Sequence, residues 1–356
     1  MKKAFGPSLY FASDKVIFDA MNHTKVTADT IRELLSDRGI IVSSKTPKYE
    51  LAQFFSRITA DYFDHKNIAS KLGKIARRER ITYAEISESL TKLEIIEALN
   101  TVKDELELAG NSVRFEVNGE RILALLEYDF IDYTEVEFRQ VQARDGIIEF
   151  LPDGDGKYVV RSTQNREIDA AVDTIFTVIN LDRSDPVKQN HISLEGIPEP
   201  EKRCQFFNKL MQSLDQHQLV TVTEAYCFNS RSKKLSDENE DETELEDRSN
   251  VERVYLKGTE VNKSLVISDL YDKGYYLVKT VWRVKPESSL DSDVFEIEAQ
   301  FSEPSSCTDF SYQVRAALIF DDGKLTNKKR TPKSEEQDNI FRLIEAAAKK
   351  AYTELL

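Results

Sequence analysis

At Ser112 the spacing of apolar residues changes from that of a helix to that of a strand, so the fold must hold both kinds of element. Upstream, Ile31, Leu34 and Leu35 fall on one helix face, as do Leu51, Phe54, Phe55 and Ile58, then Ile68, Leu72 and Ile75. Thr30-Ile31-Arg32-Glu33 has the form of a capping box, and Gly39 is placed to end that helix. Thr46-Pro47 supplies an N-cap and a first-turn proline for the next helix. Further boxes, Thr82 with Glu85 and Thr91 with Glu94, extend the helical reading to about residue 108.

Downstream, Val113, Phe115 and Val117 alternate with polar residues, and Asn118-Gly119 offers the left-handed pair of a tight hairpin. Strand-like runs follow at 136–141, 147–151 and 158–161, with turn residues between them. The pattern then predicts helices over about 167–179 and 200–214 and a strand at 219–228. Later come a strand at 251–256, a helix over 261–272, strands at 275–284, 294–301 and 310–319, and a terminal helix over 334–355. The order is that of an α+β fold without internal repeats. A chain of 356 residues exceeds the usual single core. The expected division is a basic helical module over 1–110, a small antiparallel sheet with helices over 111–234, an acidic disordered loop over 235–250 and an α+β region over 251–356.

With 63 acidic against 49 basic residues the formal charge is -14, which disfavours overall attraction to nucleic acid or anionic lipid. The charge is segregated. Residues 1–80 hold 15 Lys/Arg and 9 Asp/Glu, or +6, which leaves -20 for the rest. Lys71, Lys74 and Arg78 share one face of a predicted helix, with Arg77 and Arg80 close by. A phosphate backbone would be drawn there by counterion release, although a basic stripe opposite an apolar one is also the form of a solvated or protein-facing helix. Cys204, Cys227 and Cys307 have neither disulfide nor zinc spacing, and no signal segment or membrane-length apolar run is present, so a cytoplasmic protein without membrane contact is expected.

The stretches Leu34-Leu35-Ser36-Asp37-Arg38-Gly39-Ile40, Ser43-Ser44-Lys45-Thr46 and Lys48-Tyr49-Glu50-Leu51 together resemble the helix–extension–helix of SAP and related domains. There a helix ends at glycine, an extended link follows, and Lys-x-Glu-Leu opens the second helix. The resemblance covers roughly residues 27–60 and implies nucleic-acid binding, usually to duplex DNA, with Ser44, Lys45 and Lys48 at the matching positions. The chain departs from the family in lacking a glycine in the link and in carrying Pro47.

Signals for catalysis are few. His23, His65, His191 and His217 have no metal-ligand spacing, and no nucleophile elbow, Walker A or dinucleotide fingerprint occurs. Glu296 and Glu298 share a face of a predicted strand and could belong to a Mg²⁺-dependent nuclease, or be ordinary alternating acids; Gln300 stands where a lysine would help. Asp153-Gly154-Asp155-Gly156-Lys157 begins like a calcium loop but reads as a hairpin turn. Tyr275, Tyr276 and Trp282, with Lys279 and Arg283, could form a base-stacking platform, but their alternation also suits a buried sheet face.

The resulting expectation is a non-enzymatic, cofactor-free DNA-binding adaptor or accessory subunit with an acidic body for a protein partner. Such a layout would suit a bacterial DNA-processing or phage-defence assembly. Lys45, Lys48, Lys71, Lys74, Arg77 and Arg78 would neutralise phosphates beside Ser44. The alternatives are a divergent nuclease using Glu296 and Glu298, and a pure protein-interaction subunit without nucleic-acid contact.

Overall fold

Capping chemistry sets the first helices of the computed structural model, which describes residues 12–72, 79–135, 137–154, 156–181, 183–229, 251–288 and 291–356. Helix α1 (Asp14–Asn22), which the charged pair Asp14-Lys15 hides from sequence reasoning, starts at Ser13, whose hydroxyl accepts from the Val16 amide. Helix α2 (Ala28–Asp37) begins a turn earlier than expected, because extended Thr27, not Thr30, accepts the Thr30 amide. It ends at Gly39 (φ 75°), where the Gly39 amide donates to Ser36 and the Ile40 amide to Leu35, a Schellman motif. After an extended link come α3 (Lys48–Ser56) and α4 (Tyr62–Leu72).

Ile31, Leu34, Leu35, Leu51, Phe55, Ile68 and Leu72 are buried together as expected, with Met21 and Ala52 beside them, whereas Phe54 is 46% exposed. Burial of each large apolar side chain contributes roughly 1.5–3 kcal/mol. This core belongs to one of two compact units, drawn from Met1–Arg77, Glu97–Glu116 and Ala124–Ile147. The other takes Arg78–Ile96, Val117–Leu123 and Ile148–Leu356. The units interleave along the sequence.

Among the described residues, twelve strands form one antiparallel sheet, consistent with the predicted α+β class. In chain order they are β1 (Ile81–Ile86), β2 (Ser112–Asn118), β3 (Arg121–Ile131), β4 (Val141–Pro152), β5 (Tyr158–Thr163) and β6 (Gln189–His191), then β7 (His217–Phe228), β8 (Arg253–Lys257), β9 (Tyr276–Pro286), β10 (Val294–Glu303), β11 (Thr308–Asp321) and β12 (Lys324–Arg330). The strand order is β2-β3-β4-β5-β1-β11-β10-β9-β7-β8, with β12 on β11 and β6 on β1. Helices α5 (Lys92–Leu108), α6 (Arg166–Asn180), α7 (Pro200–Gln212), α8 (Leu265–Asp272) and α9 (Ser334–Thr353) complete the described elements, with short 3-10 turns at Glu137–Arg139 and Val261–Lys263.

Residues 82–85 are strand, not a capping box: the Tyr83 hydroxyl donates to Glu85 at 2.7 Å, an i, i+2 contact along one strand face. The box at Thr91 is present, with the Thr91 amide donating to the Glu94 carboxylate at 2.7 Å. Gly119 (φ 63°) turns the β2–β3 hairpin, and the Asp153 to Lys157 segment is the β4–β5 turn, closed by the Lys157 amide on Gly154 at 2.8 Å.

One face of the sheet in the second unit packs against α7 and α9. Phe206 and Phe207 of α7 lie 5.3 and 5.7 Å from Phe301. Phe341 of α9 lies 5.4 Å from Tyr312. Trp282 and Tyr276 are 0% and 1% exposed, which makes them core residues and not a stacking platform. On the opposite face, α6 lays Phe176 against Phe150 of β4.

Candidate nucleic-acid interface

An arginine that sequence reasoning passed over shapes the link between α2 and α3. Arg32 donates from Nη2 to the carbonyls of Ser44 (2.8 Å) and Thr46 (2.9 Å) and from Nε to Ser43 (3.4 Å), while Nη1 pairs with Asp29 at 2.6 Å. Three main-chain acceptors are thus turned inward, and the Ser44 and Lys45 side chains lie exposed on the link. An extended segment fixed in this way loses little conformational entropy when it meets a ligand. Arg32→Met should cost about 1–2 kcal/mol of stability and speed amide hydrogen exchange across 43–46, since each charge-assisted bond contributes on that scale. Unchanged exchange there would contradict the latch.

Other predicted contact residues have internal partners. The Lys48 ammonium donates to the carbonyls of Asn22 (3.1 Å) and His23 (2.8 Å), so it caps the C-terminus of α1, where the helix dipole favours a cation. Lys71 pairs with Glu33 at 2.8 Å. Lys74, Arg77 and Arg78 lie outside the described residues, as does the acidic stretch over 235–250. Residues 12–72 carry nine Lys/Arg and eight Asp/Glu, so most of the +6 of residues 1–80 comes from the remaining positions. Of the predicted set, the structure leaves Ser44 and Lys45 exposed and together.

Glu296 and Glu298 do share a strand face, but six cations surround them and Glu224. Glu298, 1% exposed, accepts from Arg80 at 2.7 Å, from Arg315 Nε at 2.6 Å and from Lys279 at 3.0 Å. Glu296 accepts from Arg283 at 3.0 Å and from Lys329 at 2.7 Å. Glu224 takes the other end of the Arg315 guanidinium at 3.1 Å and Lys257 at 3.4 Å. Arg315 therefore spans β9 at Val281, which pairs with both Glu298 and Glu224 and is 0% exposed. Burial alone would push the Glu298 carboxyl up, but the Arg80 hydrogen bond and the Arg315 and Lys279 charges outweigh it and hold it at about 2.

A Mg²⁺ ion would have to displace these cations, so the pair is not set up as a metal site. Among the described residues no group of three or more His, Cys, Asp or Glu side chains can hold a metal ion. This includes the acids and His191 that line a cavity of about 280 Å³ beside α6. A carboxyl held at about 2, below the ordinary 4.5, contributes stability that is present above pH 4.5 and lost as pH falls through about 2. Glu298→Gln should accordingly flatten the acid limb of a stability–pH profile between those values, and an unaltered limb would contradict the assignment.

Cys204, Cys227 and Cys307 are free and buried, and burial pushes their thiols up to between about 11 and about 12, far from reactive thiolates. No described helix is long and apolar enough to cross a membrane. No family model, curated protein or solved structure matches the chain.

Proposed function

We propose that the chain is a non-enzymatic DNA-binding accessory protein, in which the link between α2 and α3 meets the phosphate backbone of duplex DNA and the acidic body engages a protein partner. The observation that carries this reading is the latched link: Arg32 fixes the backbone over 43–46 while Ser44 and Lys45 remain exposed. A hydroxyl and an ammonium on a preformed extended segment suit phosphate oxygens, and such contacts position a protein without reading sequence. Binding of this kind weakens steeply with salt. A duplex mobility shift with the full chain is the test. Retardation at low salt that fades as salt rises is the expected result, and no retardation at low salt would sink the reading.

A second reading, protein interaction alone, is favoured by Ile41, which is 95% exposed on the same link. It predicts no retardation under any salt condition.

A further inference from the structure

Around Glu224, Glu296 and Glu298, on one face of β7 and β10, six cations stand against three acids, and the two are distributed differently. The glutamate side chains are at most 10% exposed, whereas those of Lys329 and Lys257 are 49% and 68% exposed. Buried acids with every cation paired to them neutralise only part of the layer, so the surplus positive charge lies toward solvent. The same face carries an aromatic pair. Tyr226 and Tyr255, cross-strand partners on β7 and β8, stack with centroids 4.4 Å apart, and the Lys279 ammonium sits 4.8 Å from the Tyr226 ring. Tyr255 remains 47% exposed.

We propose that this face binds single-stranded nucleic acid, with Tyr255 and Tyr226 stacking against bases and Lys257, Lys279 and Lys329 meeting phosphates. Flat rings beside cations on an open sheet are the elements that such binding requires, and duplex bases, already stacked and paired, would not reach the rings. From β8 to β11 the sheet spans four strand spacings, about 19 Å, which is room for several nucleotides. Lys279 and Arg283, which the sequence suggests as the charged companions of Trp282, instead stand on the opposite face from it, Lys279 beside Tyr226 and Arg283 beside Glu296. This site is independent of the duplex contact proposed for the link.

The test is fluorescence anisotropy of labelled twelve-nucleotide oligo-dT and oligo-U with the full chain over a salt series, the two arms separating DNA from RNA. Lys257→Gln/Lys329→Gln should weaken binding at least fivefold and reduce the salt slope by about 1.4, at about 0.7 per lost phosphate contact. Tyr255→Ala, which removes no charge, should weaken binding about fivefold and leave the slope unchanged. All three positions are well exposed, so folding should be preserved, and Ser44→Glu/Lys45→Glu should retain single-strand binding. The proposal would be overturned by absence of binding at low salt, by variants that bind like the parent, or by equal competition from a polyglutamate peptide of matched charge, which would mark a dock for acidic protein.

Discussion

Arg161→Met is expected to lower the unfolding free energy by about 3–5 kcal/mol, because it would strand the buried Glu345 carboxylate without its counter-charge. The Arg161 side chain is 2% exposed and its guanidinium forks onto Glu345, at 2.7 Å through Nε and 3.0 Å through Nη2. Its remaining nitrogen reaches Glu149 at 2.9 Å and Asp338 at 2.7 Å. These contacts tie β5 and β4 to α9 on the face of the sheet that α7 and α9 cover, and the Tyr312 hydroxyl also donates to Glu345. Burial opposes the charge on Arg161, but the Glu345 contacts outweigh it and raise its pKa above the usual arginine value.

Without the guanidinium, the buried Glu345 carboxylate would lose its bidentate partner, whereas Glu149 keeps its ion pair with Arg121. Urea melts of the parent and the Met variant would show the deficit. Arg161→Lys should recover little, because a single ammonium cannot reach all three carboxylates in a fork. A second substitution, Glu345→Met, should restore part of the loss by removing the orphaned charge. A deficit below about 1 kcal/mol for Arg161→Met would show that the cluster is far better hydrated than its geometry implies.

Elements whose signals are local were legible in the sequence. The Asn118-Gly119 hairpin, the Thr91 box, and helices α6 and α7 form within one or two residues of their expected places. Strand β12, Lys-Leu-Thr-Asn-Lys-Lys-Arg, was not legible, because it has no alternating apolar face and owes its form to pairing with β11. Strand β1 was mistaken for helix because Thr82 and Glu85 have capping-box spacing, while the partners that hold it, β5 and β11, lie far along the chain.

The candidate site follows the same division. The resemblance to SAP-like modules assigned Lys48 to phosphate, but its carbonyl partners are about 25 residues upstream on another helix. Arg32 drew no reading beyond its place in the Thr30–Glu33 box, since nothing local in the sequence marks the link carbonyls as its acceptors. Glu298 looked available because Arg80, one of its cations, is 218 residues distant. In each case the partner that decides the role is set by tertiary packing.

The second large effect concerns the link. Ser44→Glu/Lys45→Glu changes the local charge by three units on exposed side chains and spares the Arg32 latch, which uses only main-chain oxygens of the link. Lys48→Glu is a poorer probe, since it would uncap α1 and confound folding with binding. Like charges placed against a phosphate backbone should weaken duplex binding about thirtyfold, and losing the lysine contact should make the salt slope shallower by about 0.9.

The most direct measurement is therefore the affinity of a labelled 20-base-pair duplex for the full chain and for Ser44→Glu/Lys45→Glu, titrated at several salt concentrations. Salt-sensitive binding by the parent, with a large loss of affinity and a shallower slope in the variant, is the predicted result. Equal affinity and equal slope in the two proteins would contradict the assignment of the link as the DNA contact.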